Sequence, residues 1–358
     1  MPLLIISNPA CGNASGHTFV EQQIIPLLKS SNVPIDSIVV TKGPGDAGKA
    51  VLDFLARNRD TQSPLSVVLS SGDGTLHEII NSVLLSSTNN AQKQQITRLS
   101  FALVPSGTAN ALYCSLFPIN SDQEQHTIEY KLLSVKAFIR SKSNNTPLSI
   151  TRTTIYDVDH IVSTIFSVVV TSTSLHASIL HDSEELRHDM PDLERFKVAA
   201  QKNISKLYDS KATFWASEGK SVLLYDSSKA QFRPALSTVV EMQGPFTYFL
   251  STINTDRLEP SFIITPLYSK IPPEPGYMDV VILRPGRTEI KSAQEGVSPD
   301  PTAKITELAL RAAYRNGAHV QLRYTKDGSI IDEGDGPSVV EYVRCNRWEW
   351  HPVRVQFS

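Results

Sequence analysis

The 358-residue sequence predicts an α/β fold: an N-terminal parallel-sheet domain followed by a mainly antiparallel β-sandwich domain. Two observations carry this prediction. In the first part of the chain, short apolar runs alternate with helical segments, and that alternation implies right-handed βαβ crossovers and a parallel sheet. From about Tyr130 onward, runs rich in Val, Ile, Thr and Tyr are separated by turn residues, as in antiparallel strands. The expected domains are residues 1–130 and 131–358.

The elements of the first domain follow in order. Residues 3–7 read as a buried strand that runs into Asn8-Pro9, then Gly12 and Gly16. The helix after it contains Pro26, which should kink or end it. Residues 35–41 form a second strand. A helix begins after Gly45, with Ala47, Ala50, Val51, Phe54 and Leu55 on one face. Residues 65–69 are a third strand, leading to Gly72-Asp73-Gly74. Beyond that turn, Leu76, Ile79, Ile80, Val83 and Leu84 repeat at helical spacing. Thr75 and Glu78 have the spacing of a capping box. The helix is therefore expected to start at Thr75, with Asp73 facing outward. Residues 86–97 are polar and expected to be an exposed loop. Residues 99–104 form a fourth strand, followed by Pro105-Ser106-Gly107-Thr108-Ala109-Asn110.

The second domain is expected to hold strands at residues 149–155, 161–171, 237–242 and 278–283. A helical segment at 183–208 interrupts them, and residues 266–277 form a surface loop. Trp348 and Trp350 alternate with Glu349, placing both indoles on one face of a strand.

Bulk properties narrow the function. The formal net charge is −2, so no general attraction to nucleic acid is expected. The three cysteines, Cys11, Cys114 and Cys345, have no metal or disulfide spacing, which suits a reduced, cytoplasmic setting. The N-terminus lacks signal-peptide regions, and no apolar run is long enough to span a bilayer. No metal-ligand cluster is evident among the nine histidines. Asn13-Ala14-Ser15 fits a glycosylation sequon, without meaning in a cytoplasmic loop.

The chemistry lies in the loops. Three apolar strands each end in a small-residue loop containing glycine before a helical segment. In an open parallel sheet such loops gather at the carboxyl edge, where ligands bind. Backbone N–H groups and the positive end of a helix dipole there suit a phosphate. No Gly-Lys-Ser/Thr follows Gly72-Asp73-Gly74, so that loop is not a Walker A loop.

Asn8-Pro9…Gly12…Gly16, Ser71-Gly72-Asp73-Gly74-Thr75…Glu78…Asn81 and Pro105-x-Gly107-Thr108-x-Asn110 together resemble the diacylglycerol kinase catalytic-domain family, which includes sphingosine and ceramide kinases. Ser71 resembles the sphingosine-kinase version of the second loop. Weaker similarity runs through residues 177–196 and reappears at 277–281. The resemblance implies a Rossmann-like, ATP-binding catalytic domain and a lipid-binding β-sandwich domain. It also implies ATP and Mg²⁺ as cofactors, and a lipid substrate met by transient peripheral contact with a membrane.

By the same resemblance, Asp73 is the general base for a lipid hydroxyl. Asn8, Pro9, Thr41, Ser71, Gly72, Gly74, Thr75, Glu78, Gly107 and Thr108 bind the nucleotide. Arg187, Arg195, Asp335 and Gly336 join them from the second domain. Ser178, His181 and Asp182 meet the lipid. The sequence also departs from the family pattern. Ala10 replaces a usual basic residue after Asn-Pro, and Ser178 replaces an aspartate. Pro337 follows Asp335-Gly336 where the family has a glutamate. The readings in play are thus a lipid kinase acting on a sphingoid base, ceramide or diacylglycerol, a soluble-substrate kinase of the NAD kinase-like superfamily, and a catalytically weak nucleotide- or lipid-binding relative.

Overall fold

The computed structural model describes residues 1–12, 14–86, 98–119, 124–140, 145–190, 194–285, 301–325 and 328–353. Most of the polar segment 86–97, and Asn13 of the sequon, lie outside the described residues. The chain forms two compact units, Met1–Val169 with Leu258–Pro260, and Val170–Arg257 with Ser261–Ser358.

The first unit is built on four parallel strands: β1 (Leu3–Ser7), β2 (Ser37–Val40), β3 (Leu65–Ser71) and β4 (Leu99–Pro105). Their order is β2-β1-β3-β4. Ile5 pairs with Val68 on one side and with Ile38 on the other. β1 and β3 are buried along their whole length, as expected for strands covered on both faces. The order reverses between β1 and β3, and the crevice beyond their carboxyl ends is the natural ligand position in such a sheet.

Helices α1 (Gly16–Phe19) and α2 (Ile25–Ser30) are joined by a π-helical stretch, Val20–Ile24. Pro26 sits in the first turn of α2. It neither ends nor breaks the helical path. The wider π turn before it absorbs a residue that lacks an N–H and would crowd the preceding turn. Helix α3 (Asp46–Arg57) buries Ala47, Gly48, Val51, Phe54 and Leu55, close to the predicted stripe. Helix α4 (Asp73–Leu85) buries Leu76, Ile79, Ile80 and Val83. The short helices α5 (Ala111–Leu116) and α6 (Ile128–Lys131) lead to α7 (Leu133–Arg140).

The first core runs past residue 130, where the domain boundary was expected. Leu132 and Val135 pack with Leu3, Ile5, Val68 and Val104, and the Leu103 N–H donates to Ser134 Oγ. The hairpin of β5 (Thr151–Asp157) and β6 (His160–Ser167) also belongs to this unit. Asn81 on α4 anchors it. The Asn81 amide donates to the Phe166 carbonyl at 2.7 Å, and its oxygen accepts the Phe166 N–H at 2.8 Å.

The second unit is mainly antiparallel. Strands β7 (Val170–Thr173), β8 (Ser210–Trp215), β9 (Leu223–Asp226), β10 (Gln231–Pro234), β11 (Val239–Gln243), β12 (Tyr248–Thr252), β13 (Met278–Leu283), β14 (Leu322–Tyr324), β15 (Ile330–Asp332), β16 (Val340–Cys345) and β17 (Arg347–Pro352) make up its sheets. The six-stranded sheet has the order β10-β9-β16-β13-β12-β7, and the three-stranded sheet β11-β8-β17. They share one core: Phe214 of β8 stacks on Phe249 of β12, and Val280 and Val343 fill the space beside them. Trp348 and Trp350 pack on Phe249, so the one-faced aromatic strand lines this core.

The helical interruption starts earlier than its sequence suggested and is split. Helix α8 is Ser174–Glu185 and α9 is Glu194–Asn203. α8 follows β7 directly through Ser174, whose φ of 59° turns the chain out of the strand. One turn of helix, α10 (Leu267–Lys270), interrupts the expected 266–277 loop, and α11 (Pro301–Ala313) follows later. Asp279 at the heart of the unit accepts bonds from Tyr342 Oη and from Arg344 Nε, each at 2.6 Å. That paired buried charge ties β13 to β16.

Candidate functional site

The three loops at the carboxyl ends of β1, β3 and β4 are in mutual contact. The Asn8 N–H extends the β1–β3 pairing to the Ser70 carbonyl at 3.1 Å. Ser106 N–H donates to the Ser71 carbonyl at 3.2 Å, and the Ser70 and Ser106 hydroxyls lie 2.8 Å apart. Gly12 packs on the Ser106 carbonyl, with no room for a Cβ. Gly72 and Gly107 meet backbone to backbone: a Cβ on Gly107 would lie 2.5 Å from Gly72 Cα. Both glycines are needed for this closeness. Gly72 itself has an ordinary extended backbone, with φ −105° and ψ −178°.

A polar cluster crosses the cradle. Thr75 Oγ1 accepts from Asn8 Nδ2 at 3.1 Å and from Ser71 Oγ at 2.6 Å. Asn8 Oδ1 accepts the Ala10 N–H, which shapes the turn after Pro9. Gly74 differs from the other two glycines of the motif. Among the described residues, a Cβ there would meet nothing within 4 Å, so the space beside it is open.

Helix α4 begins at Asp73, with Gly72 as its N-cap, two residues before the expected start. The capping box of Thr75 and Glu78 does not form. Thr75 serves the polar cluster, and Glu78 Oε1 accepts the Gly48 N–H from α3 at 3.1 Å. Glu78 thereby ties two helices together. Thr41 is buried at the end of β2, with its N–H on the Ser7 carbonyl at 3.0 Å.

Asp73 turns inward, against the expectation that it faces outward. Its carboxylate accepts the Ala111 N–H at 2.7 Å and the Leu112 N–H at 3.2 Å, the first amides of α5. Such amides have no partner inside their own helix. Beside the carboxylate lies a cavity of about 10 Å³, walled by Leu69, Leu76, Leu103, Val104 and Tyr113. That volume suits one water at most. Burial raises the Asp73 carboxyl above its ordinary value of 3.8, against the opposing pull of the Ala111, Leu112 and Asp73 amides.

Asn110 was part of the third motif but was not among the expected ligand residues. It adopts φ 54°, a left-handed conformation that asparagine tolerates. Its side chain closes the loop on itself: Oδ1 accepts the Gly107 N–H at 2.9 Å, and Nδ2 donates to the Gly107 carbonyl at 2.8 Å. The Gly107 N–H is thus engaged within the protein, and Thr108 is left exposed beside it. The Pro-x-Gly-Thr-x-Asn spacing was the signal for this turn.

The expected residues of the second unit lie in several local settings. Ser178 on α8 shares a hydrogen bond with Tyr208 Oη at 2.7 Å. Asp182 accepts from Asn203 at 2.8 Å and pairs with Lys202 at 3.0 Å. These bonds, Asn203 foremost, hold its carboxyl well below the usual range. His181 is exposed beside it. With Glu185, these two bring possible metal-ligating atoms within 4.8 Å of one another. Arg187 is exposed and pairs with Glu184 at 2.8 Å. Arg195 is only 6% exposed and lies 4.4 Å from the Phe196 ring centroid. Asp335 and Gly336 form a turn against β14, where the Gly336 N–H donates to the Tyr324 carbonyl at 2.7 Å.

The comparisons with known proteins fall on the unit that carries these three touching loops. Residues 2–138 match the diacylglycerol kinase catalytic domain family. This stretch is similar to diacylglycerol kinase catalytic domains. Within it, the chain is 25% identical over 132 residues to the mitochondrial acylglycerol kinase of Mus musculus, covering 37% of this chain and 28% of that protein. It is 31% identical over 112 residues to sphingosine kinase B of Dictyostelium discoideum, covering 31% of this chain and 13% of that one. The matches therefore span less than a third of either relative's length. Among the described residues, no helix is long and apolar enough to cross a membrane.

Proposed function

We propose that this chain transfers the γ-phosphate of ATP to a lipid hydroxyl, with Asp73 as the general base. The observation that carries the reading is the position of Asp73 at the start of α4, in the cradle formed by three touching loops. The reaction asks for positioned phosphates, neutralised charge and an oriented hydroxyl. The first turn of α4 sets the positive end of its dipole next to the open space at Gly74. Asn8, Ser71 and Thr75 supply polar groups on the same side of the cradle. In the proposed step the lipid oxygen bonds to the γ-phosphorus and the β–γ bridging bond breaks. ADP departs, and the hydroxyl proton passes to Asp73.

A raised carboxyl value suits that role, because a base works best with a value nearer the operating pH. Beyond the amides it accepts, the Asp73 carboxylate keeps lone-pair capacity for a proton or a metal-bound water. That donor set fits Mg²⁺ arriving with the nucleotide, as Mg²⁺ takes few protein ligands. When bound, the ion neutralises charge on the phosphates.

In the second unit we assign Ser178, His181 and Asp182 to the acceptor lipid, and Arg187, Arg195, Asp335 and Gly336 to the nucleotide. A sphingoid amine would need a carboxylate partner, and Asp182 is the carboxylate on that helix. A second reading, a catalytically weak relative, draws on Ser178 and Asp182 already holding partners within the unit.

The test is turnover of ATP and Mg²⁺ with sphingosine, ceramide, diacylglycerol and NAD as acceptors. Phosphorylation of one of the three lipids, lost in Asp73→Asn, is the expected result. Activity with NAD alone would give the soluble-substrate class. Nucleotide or lipid binding without turnover would give the weak relative.

A further inference from the structure

The tip of the β5–β6 hairpin is apolar where an exposed ribbon is ordinarily polar. Ile155, Tyr156, Val158, Ile161 and Val162 are each 45% to 70% exposed. The base of the same hairpin is secured through Asn81 and Phe166, so the ribbon has a fixed root and an uncovered end. Among the described residues its two strands pair only with each other.

Consecutive residues on a strand point to opposite faces, so Ile155 and Tyr156 make both faces of the tip apolar. Tyr156 pairs with Ile161, and a register shift beside it leaves Val162 as an extra residue. The two-residue turn is Val158-Asp159, with Val158 at φ 55°. Turns of this kind normally take Asn or Gly at that position. A β-branched residue there is strained. The chain therefore holds an apolar side chain at the turn against its backbone preference. A groove on a folded protein covers one face of a ribbon. A lipid surface that the tip enters covers both faces and the turn together.

The charges select the medium. Asp157 and Asp159 flank Val158, and no Lys or Arg lies between Thr153 and Ser167. This tip is repelled by anionic headgroups and complements the ammonium of phosphocholine, which Tyr156 can also meet through its ring face. Tyrosine is suited to such a boundary, with an apolar body and a polar end.

We propose that the β5–β6 tip is a wedge that docks this chain on a zwitterionic, phosphocholine-rich lipid surface. The inference rests on the reading that the acceptor is a lipid. Its test is nevertheless independent of catalysis.

The full chain is sedimented with phosphatidylcholine vesicles, and with mixed phosphatidylcholine–phosphatidylserine vesicles, in the absence of nucleotide. Wild type should bind the former more tightly than the latter. Val158→Asn combined with Ile161→Thr should weaken binding by at least about tenfold. The double variant should melt within a few degrees of wild type, because Asn relieves the turn and both replaced side chains are exposed, and this melting check separates lost binding from lost folding. Wild-type binding that is absent, that requires phosphatidylserine, or that the double variant retains would overturn the proposal. A parallel assay on a short-chain lipid dispersed in detergent separates the two readings. Vesicle binding without phosphorylation leaves the wedge and removes the kinase. Equal phosphorylation and equal vesicle binding by wild type and variant leave the kinase and remove the wedge.

Discussion

Gly72 and Gly107 hold two of the three loops together by direct contact of their backbones. A Cβ on Gly72 would come within 3.0 Å of Gly107 Cα, and one on Gly107 would come closer still. The obstacle is backbone on both sides, which cannot swing aside as a flexible side chain would. Gly107→Ala should therefore cost about 1–3 kcal/mol of stability and weaken ATP binding, because the loops must part. Chemical denaturation and nucleotide titration would measure the two effects. Gly74→Ala is the control: among the described residues its Cβ meets no atom within 4 Å, so stability should stay near wild type while nucleotide binding falls. Unchanged ATP affinity in both variants would detach this cradle from the nucleotide.

Asp73 is placed to serve both chemistry and structure, and pH separates the two. Asp73→Asn should lower kcat by on the order of 10²–10⁴ if the carboxylate takes the proton. The stability effect has the opposite character. The folded-state value is raised above 3.8, so protonated Asp73 favours the fold. That contribution is present below 3.8 and is lost as pH rises through the folded value. The stability of wild type relative to Asp73→Asn should accordingly fall from acid pH toward neutrality. A difference that rises with pH would mean that the Ala111 and Leu112 amides outweigh the apolar walls.

Much of the cradle was legible in the sequence because its parts are local. Apolar runs identify β1, β3 and β4, and each is followed at once by the glycines and small polar residues of its loop. The direction of Asp73 was not legible, since it depends on amides of α5 nearly forty residues onward. The capping-box spacing of Thr75 and Glu78 was satisfied on paper by local bonds alone. In the fold, Glu78 finds Gly48 on another helix and Thr75 finds Asn8 from another loop, and these long-range partners displace the local pattern. Pro26 was a sound signal of disturbance, but a π turn resolves it without a break. The first core likewise reaches beyond residue 130, because the stripe that buries Val135 lies on a short helix whose partner strand is β4. In the second unit, alternation marked the strands, while the pairing of two sheets around Phe214 and Phe249 required the coordinates.

Cys11 reports on the cradle without mutation. Its sulfur lies 3.4 Å from where a Gly72 Cβ would be, and it is partly exposed, whereas Cys114 and Cys345 are buried. A maleimide should modify Cys11 first, since access governs thiol reactivity. ATP at about ten times its Kd should slow that modification about tenfold by occupancy. Peptide mapping by mass spectrometry would follow the site and the rate. Labelling that ATP leaves unchanged would put the nucleotide elsewhere.

His319 makes the second unit sensitive to acid. It is 1% exposed, and one ring nitrogen lies 2.9 Å from the Ile264 carbonyl, the arrangement of a neutral imidazole donating Nε2–H. Burial is the main cause that lowers its value to about 4. The Ile264 carbonyl opposes that shift, and Lys270 adds to it. A lowered histidine contributes stability above its unfolded value of 6.5 and loses it as pH falls toward 4, because the unfolded chain takes up the proton first. The loss could reach ~3 kcal/mol across that window. His319→Gln keeps a donor for Ile264 but cannot titrate. Its stability should be lower than wild type at neutral pH, since the amide fits the imidazole's space imperfectly, and should change less with pH between 6.5 and 4. Denaturation midpoints of both proteins across that range test the claim. Parallel pH profiles would assign the acid sensitivity to other groups.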